Sequence, residues 1–110
     1  KHKIMAKFEQ IKIIRWTKEK APTQKALEEI LHNEGLSYYL WSNSPNDLYV
    51  PHLHTYDKII YVVHGLITFI LPDEDQKLTL HSGDRLELPA NTIHSAAVSS
   101  QGVACFEAHC

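Results

Sequence analysis

The stretch PHLHTYDKIIYVVHG, Pro51 to Gly65, decides how this chain is read. It opens with His52 and His54, two residues apart, and runs into an apolar segment from Ile59 to Val63. On an extended strand, residues two apart point to the same face. Two imidazoles on one face can grip one metal ion. The pair alone is weak as a signal, because the chain carries eight histidines.

A second stretch strengthens it. GDRLELPANTIH, Gly83 to His94, sets a third histidine after a strand and a turn, forty residues beyond His54. The two stretches together resemble the cupin superfamily. His52, His54 and Gly65 stand at the spacing of its first motif, and Gly83, Pro89 and His94 at that of its second. Four positions depart from the pattern. Asn46 replaces the opening glycine, Lys58 the glutamate ligand, Asn91 the middle glycine of the second motif, and Val98 its closing asparagine. The resemblance covers Leu48 to Val98 closely and the flanks loosely.

That resemblance implies an all-β fold, a double-stranded β-helix or jelly-roll barrel with one short N-terminal helix. Two packed antiparallel sheets would leave a pocket between them, open at one end. It also implies a homodimer. The N-terminal strand, Ile11 to Trp16, is the natural piece to pair with a partner's sheet, since exposed sheet edges need cover. The superfamily hosts many chemistries on one barrel, so the motifs point to a fold more sharply than to a reaction.

Composition sets outer bounds. One hundred and ten residues suit a single domain, here residues 1–110, with a strand and helix over 11–35 and a barrel over 36–108. No apolar run approaches the roughly 18 residues of a membrane-spanning helix. A formal charge of -2 leaves no basic footprint for nucleic acid. Cys105 and Cys110 are too few for a disulfide framework and read as free thiols of a cytoplasmic protein without a secretory signal. Residues 1–7 read as a basic terminus, frayed or pairing at a sheet edge.

The remaining elements follow from local pattern. Thr23 is a candidate N-cap, Leu27, Ile30 and Leu31 form an apolar stripe, and Gly35 is a natural stop. This helix is expected on the outside of the barrel or at a subunit seam. From residue 36 onward, short strands alternate with turn residues. The expected strands are 37–42, 48–54, 58–64, 66–71, 77–81, 85–88, 93–98 and 103–108, with Gly65 turning the chain between the third and the fourth. Ile67, Phe69 and Leu71 share a face, as do Leu78 and Leu80, and Leu86 and Leu88. Gly83-Asp84 reads as a turn whose carboxylate accepts nearby backbone N–H groups. Arg85 and Glu87 share a face and pair there or meet solvent.

The candidate metal ligands are His52, His54 and His94, for a divalent ion such as Fe, Zn, Ni or Mn. Three histidines leave coordination positions open for substrate. Lys58 is the awkward residue, because an ammonium in a ligand's place repels a cation. Either Lys58 turns outward or reaches a carboxylate, or Asp57 swings in through a bulge, or the metal is lost and Lys58 binds an anion. The first is the expectation. A three-histidine site without a carboxylate keeps the ion's double charge and attracts an anionic small molecule. Tyr56 and Lys58 are the candidates for handling protons or substrate charge.

In the last strand Val103, Cys105 and Glu107 share one face, and Ala104, Phe106 and Ala108 the other. A phenyl ring fills a core well, which favours Phe106 inside and Glu107 outside. Tyr61 is expected to pack. Tyr38, Tyr39 and Trp41 form an aromatic cluster that suits core or dimer packing, or a pocket wall. His64 and His81 sit next to turns and point to solvent or an interface, and His2, His32 and His109 show no partner pattern. Three functions fit: a metal-dependent enzyme such as an oxygenase or isomerase, a non-catalytic ligand-binding module, and a structural barrel that has lost the chemistry.

Overall fold

Two long strands with alternating apolar residues carry the architecture, and every other strand hangs on them. The computed structural model describes residues 8–110, so the basic stretch 1–7 lies outside the described residues. The elements in order are β1 (Lys12–Ile14), α1 (Gln24–Asn33), β2 (Tyr38–Asn43), β3 (Leu48–His52), β4 (Lys58–Leu71), β5 (Gln76–Leu80), β6 (Arg85–Leu88) and β7 (His94–His109). Strands β4 and β7 run antiparallel, from the Lys58↔His109 pair to Ile70↔Ser95. One half of this ribbon carries β6 and β1 on the β4 side and β2 on the β7 side. The other half carries β5 beside β4 and β3 beside β7. Bending the ribbon at its middle lays the two halves face to face, which makes the all-β barrel.

The bend replaces two expected turns. Gly65 was expected to end one strand and begin the next, and residues 93–98 and 103–108 were expected as separate strands. Each pair is instead one continuous strand. The register between β4 and β7 slips between Val62 and His64, and again between Gly65 and Ile67. Gly65 sits at φ +86°, and a Cβ there would overlap the Gly102 carbonyl oxygen across the bend. Glycine is required at this close approach, and it serves a bulge rather than a reversal.

Alternation then sorts the side chains into two cores. Ile60, Val62, Ile67, Phe69, Leu71, Leu80, Leu86, Leu88, Ala96, Val98, Val103 and Cys105 fill the barrel. The apolar faces read from β4, β5 and β6 all point there. The opposite faces of β4 and β7 give Ile59, Tyr61, Val63, Ala104, Phe106 and Ala108, which pack against Leu27, Leu31 and Leu36 of the helical region. This second core corrects the expectation for the last strand. Phe106 faces outward beneath α1, while Cys105 and Glu107 face inward. A phenyl ring needed a core, and the helix supplies one outside the barrel.

Helix α1 is closed at both ends by the expected devices. Thr23 Oγ1 accepts from the Ala26 N–H at 3.1 Å. At the other end the Gly35 N–H donates to the His32 carbonyl and the Leu36 N–H to the Leu31 carbonyl, the paired bonds of a Schellman stop. Strand β1 covers an edge within the chain and becomes the outermost strand there. It pairs with this chain's own β6, Lys12↔Glu87 through Ile14↔Arg85, because the outer edge of β6 would otherwise stand open. Asp84, in the turn before β6, fastens the arrangement. Its carboxylate accepts from the Trp16 and His81 backbone N–H groups and from Arg15. Arg85 meets Glu87, Glu34 and the Tyr61 hydroxyl, linking β6 to the end of α1. Among the described residues no helix is long and apolar enough to cross a membrane.

Candidate functional site

The barrel interior is apolar at its closed end and polar at its mouth. A cavity of about 340 Å³ opens there, with His52, His54, Tyr56, Lys58, His94 and Glu107 on its polar side. Trp41, Ile60, Ile67, Phe69 and Ala96 form apolar wall.

The three histidines arrive from two segments. His52 ends β3 and His94 begins β7, and the two are direct cross-strand partners. Their ring centroids are 4.3 Å apart. His54 lies in the β3–β4 connection, which the Asn91 N–H ties down by donating to the His54 carbonyl at 2.6 Å. One nitrogen from each ring lies within 4.8 Å of the others, a set that could hold a metal ion.

The second nitrogen of each ring is engaged. His52 Nδ1 meets the Val50 carbonyl at 2.6 Å, and His94 Nδ1 meets the Thr92 carbonyl at 2.8 Å. A carbonyl only accepts, so both rings carry their proton on Nδ1 and turn an Nε2 lone pair to the cavity. His54 Nδ1 pairs with the Tyr56 hydroxyl at 3.1 Å. If His54 also offers Nε2, it donates from Nδ1 and Tyr56 accepts. His94 is buried and its Nε2 has no hydrogen-bond partner. A buried acceptor left empty is costly, and an ion is one thing that fills it. Burial pushes the His94 imidazole down to about 4, with Lys58 and the other two histidines adding to it against the Thr92 carbonyl. Burial likewise lowers His54, with Lys58 and His52 adding. Both rings are therefore neutral at pH 7, the form that ligates.

Lys58 points inward and reaches toward a carboxylate. Its Nζ lies 3.8 Å from Glu107 Oε2, and both side chains are 8% exposed. Burial lowers the ammonium's pKa, and Glu107 counters part of that. Asp57 does not swing into the site. Its carboxylate accepts from the Phe8 and Ala90 backbone N–H groups, tying the N-terminal segment to the turn after β6.

Glu107 is the residue that sequence reasoning placed on the wrong face. Its Oε1 accepts from Trp41 Nε1 at 3.0 Å, and its Oε2 from the Tyr39 hydroxyl at 2.9 Å. Oε2 also meets His109 Nε2 at 2.7 Å. Burial would raise this carboxyl, but Lys58 and the His109 and Tyr39 hydrogen bonds outweigh it and hold it below the usual glutamate value. Burial, with the Glu107 bond adding to it, pushes the Tyr39 phenol up to about 12. His109 thus has a partner that its sequence context did not suggest. The available signal was the two-residue spacing from Glu107, which puts both on one strand face. Tyr39 and Trp41 turn to the pocket, while Tyr38 packs edge-on against Phe106 outside. Tyr56 lies between His54 and His109, with ring centroids 5.0 and 4.0 Å away.

Neither a protein-family model nor a curated protein matches the sequence. Solved structures do match. A cupin superfamily protein from Desulfitobacterium hafniense aligns with a TM-score of 0.60 at 17% identity, covering 96% of this chain and 82% of that one. The chain has the cupin fold. KdgF from a Halomonas species aligns with this chain at 28% identity and a TM-score of 0.56, over 67% of this chain and 68% of that one. The polyketide cyclase RemF from Streptomyces resistomycificus aligns at 24% identity and 0.58, over 72% of this chain. The match spans 59% of RemF, less than two thirds of its length.

Proposed function

We propose that this cupin holds a divalent metal ion, Fe, Zn, Ni or Mn, through His52, His54 and His94, and acts on a small anionic organic molecule in the cavity above them. The observation that carries this reading is the partnerless, buried Nε2 of His94 within a cluster of ring nitrogens less than 4.8 Å across. The carbonyl partners of His52 and His94 orient both rings, as partners behind metal-binding histidines do. When bound, the ion supplies Lewis-acid or redox chemistry. Lys58 offers a positive charge to the substrate. Tyr56, bonded to His54 and facing the cavity, orients that ring and holds a proton at its hydroxyl. Apolar walls exclude water from the body of the ligand. An oxygenase or an isomerase fits this layout, and likeness to RemF, a polyketide cyclase, supports catalysis on small molecules as the class. The reading includes a homodimer, which light scattering tests directly.

A second reading has one observation in its favour: Lys58 stands where the cupin pattern places a glutamate. In that reading the barrel binds a ligand, or serves a structural role, without metal chemistry. Metal analysis separates the two. Tag-free protein purified without chelator is measured by mass spectrometry beside His54→Ala and His94→Ala. Near-stoichiometric metal, lost in both variants, is the expected result. Native protein that carries no metal, and takes up none when offered Fe(II), Zn, Mn or Ni, sinks the metal reading.

A further inference from the structure

The cavity has a second unspent polar atom besides His94 Nε2. Lys58 Nζ makes no hydrogen bond among the described residues, and its nearest carboxylate oxygen is 3.8 Å away. The side chain is nonetheless more than nine-tenths buried and lines the cavity. An ammonium has three donors, and here none of them meets an acceptor of the protein, so they are available to whatever occupies the cavity.

Glu107 is held at 3.8 Å from Lys58 Nζ by other partners rather than bonded to it. Trp41 Nε1 donates to Oε1, and the Tyr39 hydroxyl and His109 Nε2 both engage Oε2. These three partners, on β2 and at the end of β7, fix the carboxylate beside Lys58. The pair is then close to neutral, with the ammonium's donors still free. A carboxylate entering from the cavity satisfies those donors and brings one negative charge. A phosphate group brings nearly two and would set them against the fixed charge of Glu107.

We propose that the pocket takes a small organic acid by two poles. Its carboxylate sits on Lys58, and a second oxygen function, a hydroxyl, carbonyl or further carboxylate, sits at the histidine cluster. Glu107 is the positioning residue that makes the Lys58 pole select carboxylate over phosphate. The short hydrocarbon body between the poles lies against Ile60, Ile67, Phe69 and Ala96. A cavity of about 340 Å³ is at the small end for ligand sites, which suits an acid of a few carbons. The histidine pole rests on the metal reading above, whereas the Lys58 pole does not.

The test reads the Trp41 indole N–H, which donates to Glu107, by heteronuclear NMR. The Trp16 indole, bonded to the Lys20 carbonyl, is the internal control. Zinc-loaded and metal-free protein are titrated with malate, butyrate, butanediol and glycerol phosphate. Malate should bind most tightly to the zinc form, and butyrate should bind both forms. Butanediol and glycerol phosphate should leave Trp41 unmoved where malate saturates. Lys58→Met should weaken malate by about tenfold or more and abolish the butyrate response, while zinc uptake is retained or strengthened, since a positive charge beside the histidines is removed. Glu107→Gln should narrow the preference for malate over glycerol phosphate by about tenfold. If Lys58→Met alone does not fold, the paired K58M/E107Q protein, which removes both charges together, must show the same loss of butyrate.

Malate binding of native strength in these Lys58 variants overturns the proposal, as does glycerol phosphate binding as well as malate. Should the native protein take up no zinc while butyrate still depends on Lys58, the histidine reading falls and the Lys58 selectivity stands.

Discussion

Two buried carboxylates in this protein accept several hydrogen bonds each, and they face in different directions. Asp84 spends its oxygens on the backbone N–H groups of Trp16 and His81 and on Arg15. It joins the end of β1 to the turn before β6, so it serves the fold. Glu107 receives none of these backbone bonds. Its partners are the side chains of Tyr39, Trp41 and His109, with Lys58 nearby, around a cavity. Backbone donors are fixed by the strands they belong to, and a carboxylate that ties them cannot be moved without moving the chain. Side-chain donors around a cavity can be exchanged at the cost of a site. The difference lies in the partners, since burial of the two groups is nearly equal, at 5% and 8% side-chain exposure.

The strongest way to break that contrast is Asp84→Ala. It leaves two backbone N–H groups without their acceptor and Arg15 with only the Thr79 carbonyl, and should cost about 3 kcal/mol. For a domain of this size that is a fall of about 15 °C in the unfolding midpoint. Calorimetry reads it directly. A fall of only a degree or two would show that solvent takes over the bonds and that Asp84 is no staple.

A smaller effect sharpens the same point through pH. Burial would raise the Asp84 carboxyl, but the bonds from His81, Trp16 and Arg15 outweigh burial and hold it below the usual aspartate value. The unfolded chain then takes up a proton first as pH falls. Asp84 contributes its full share of stability above about pH 4, and loses it as pH drops through the folded value. Asp84→Asn should therefore flatten the acid side of the stability profile while lowering the plateau at pH 7. Urea midpoints at neutral and acid pH check it, and an unchanged acid slope counts against the assignment.

Much of this molecule was legible in its sequence where a pattern has one structural meaning. Alternation in residues 67–71, 78–80 and 85–88 gave inward faces that the structure keeps. Thr23, the Leu27–Leu31 stripe and Gly35 defined the helix. The spacing of His52, His54 and His94 named three residues that the fold brings together. Legibility failed where one signal has two meanings. A glycine amid apolar residues can mark a turn or a bulge, and Gly65 is the bulge. An alternating strand has two apolar-looking faces when a helix covers its back, so Phe106 and Glu107 were assigned the wrong way round. The partners of Glu107 lie on β2 and β7, and only the pairing of those strands, Tyr39↔Glu107 and Trp41↔Cys105, brings them together.

The smallest expected effect is the most discriminating. Removing Lys58 and Glu107 together, as K58M/E107Q, should change stability by no more than about 1 kcal/mol, and an increase is compatible with the argument. Two buried opposite charges cost much of what their attraction returns. Methionine fills the volume of the lysine stem, and glutamine keeps an oxygen for the Trp41 indole. Glu107→Gln alone should be worse than the pair, because it strands the ammonium without a counter-charge. The ordering of the two proteins in urea is the readout. If the double variant loses as much as Asp84→Ala, Glu107 is a second staple of the fold, and its place beside the cavity carries no functional meaning. If the double variant stays near native stability, the pair is dispensable for folding, and a charged couple kept in a wall that would tolerate neutral side chains is there for what enters the cavity.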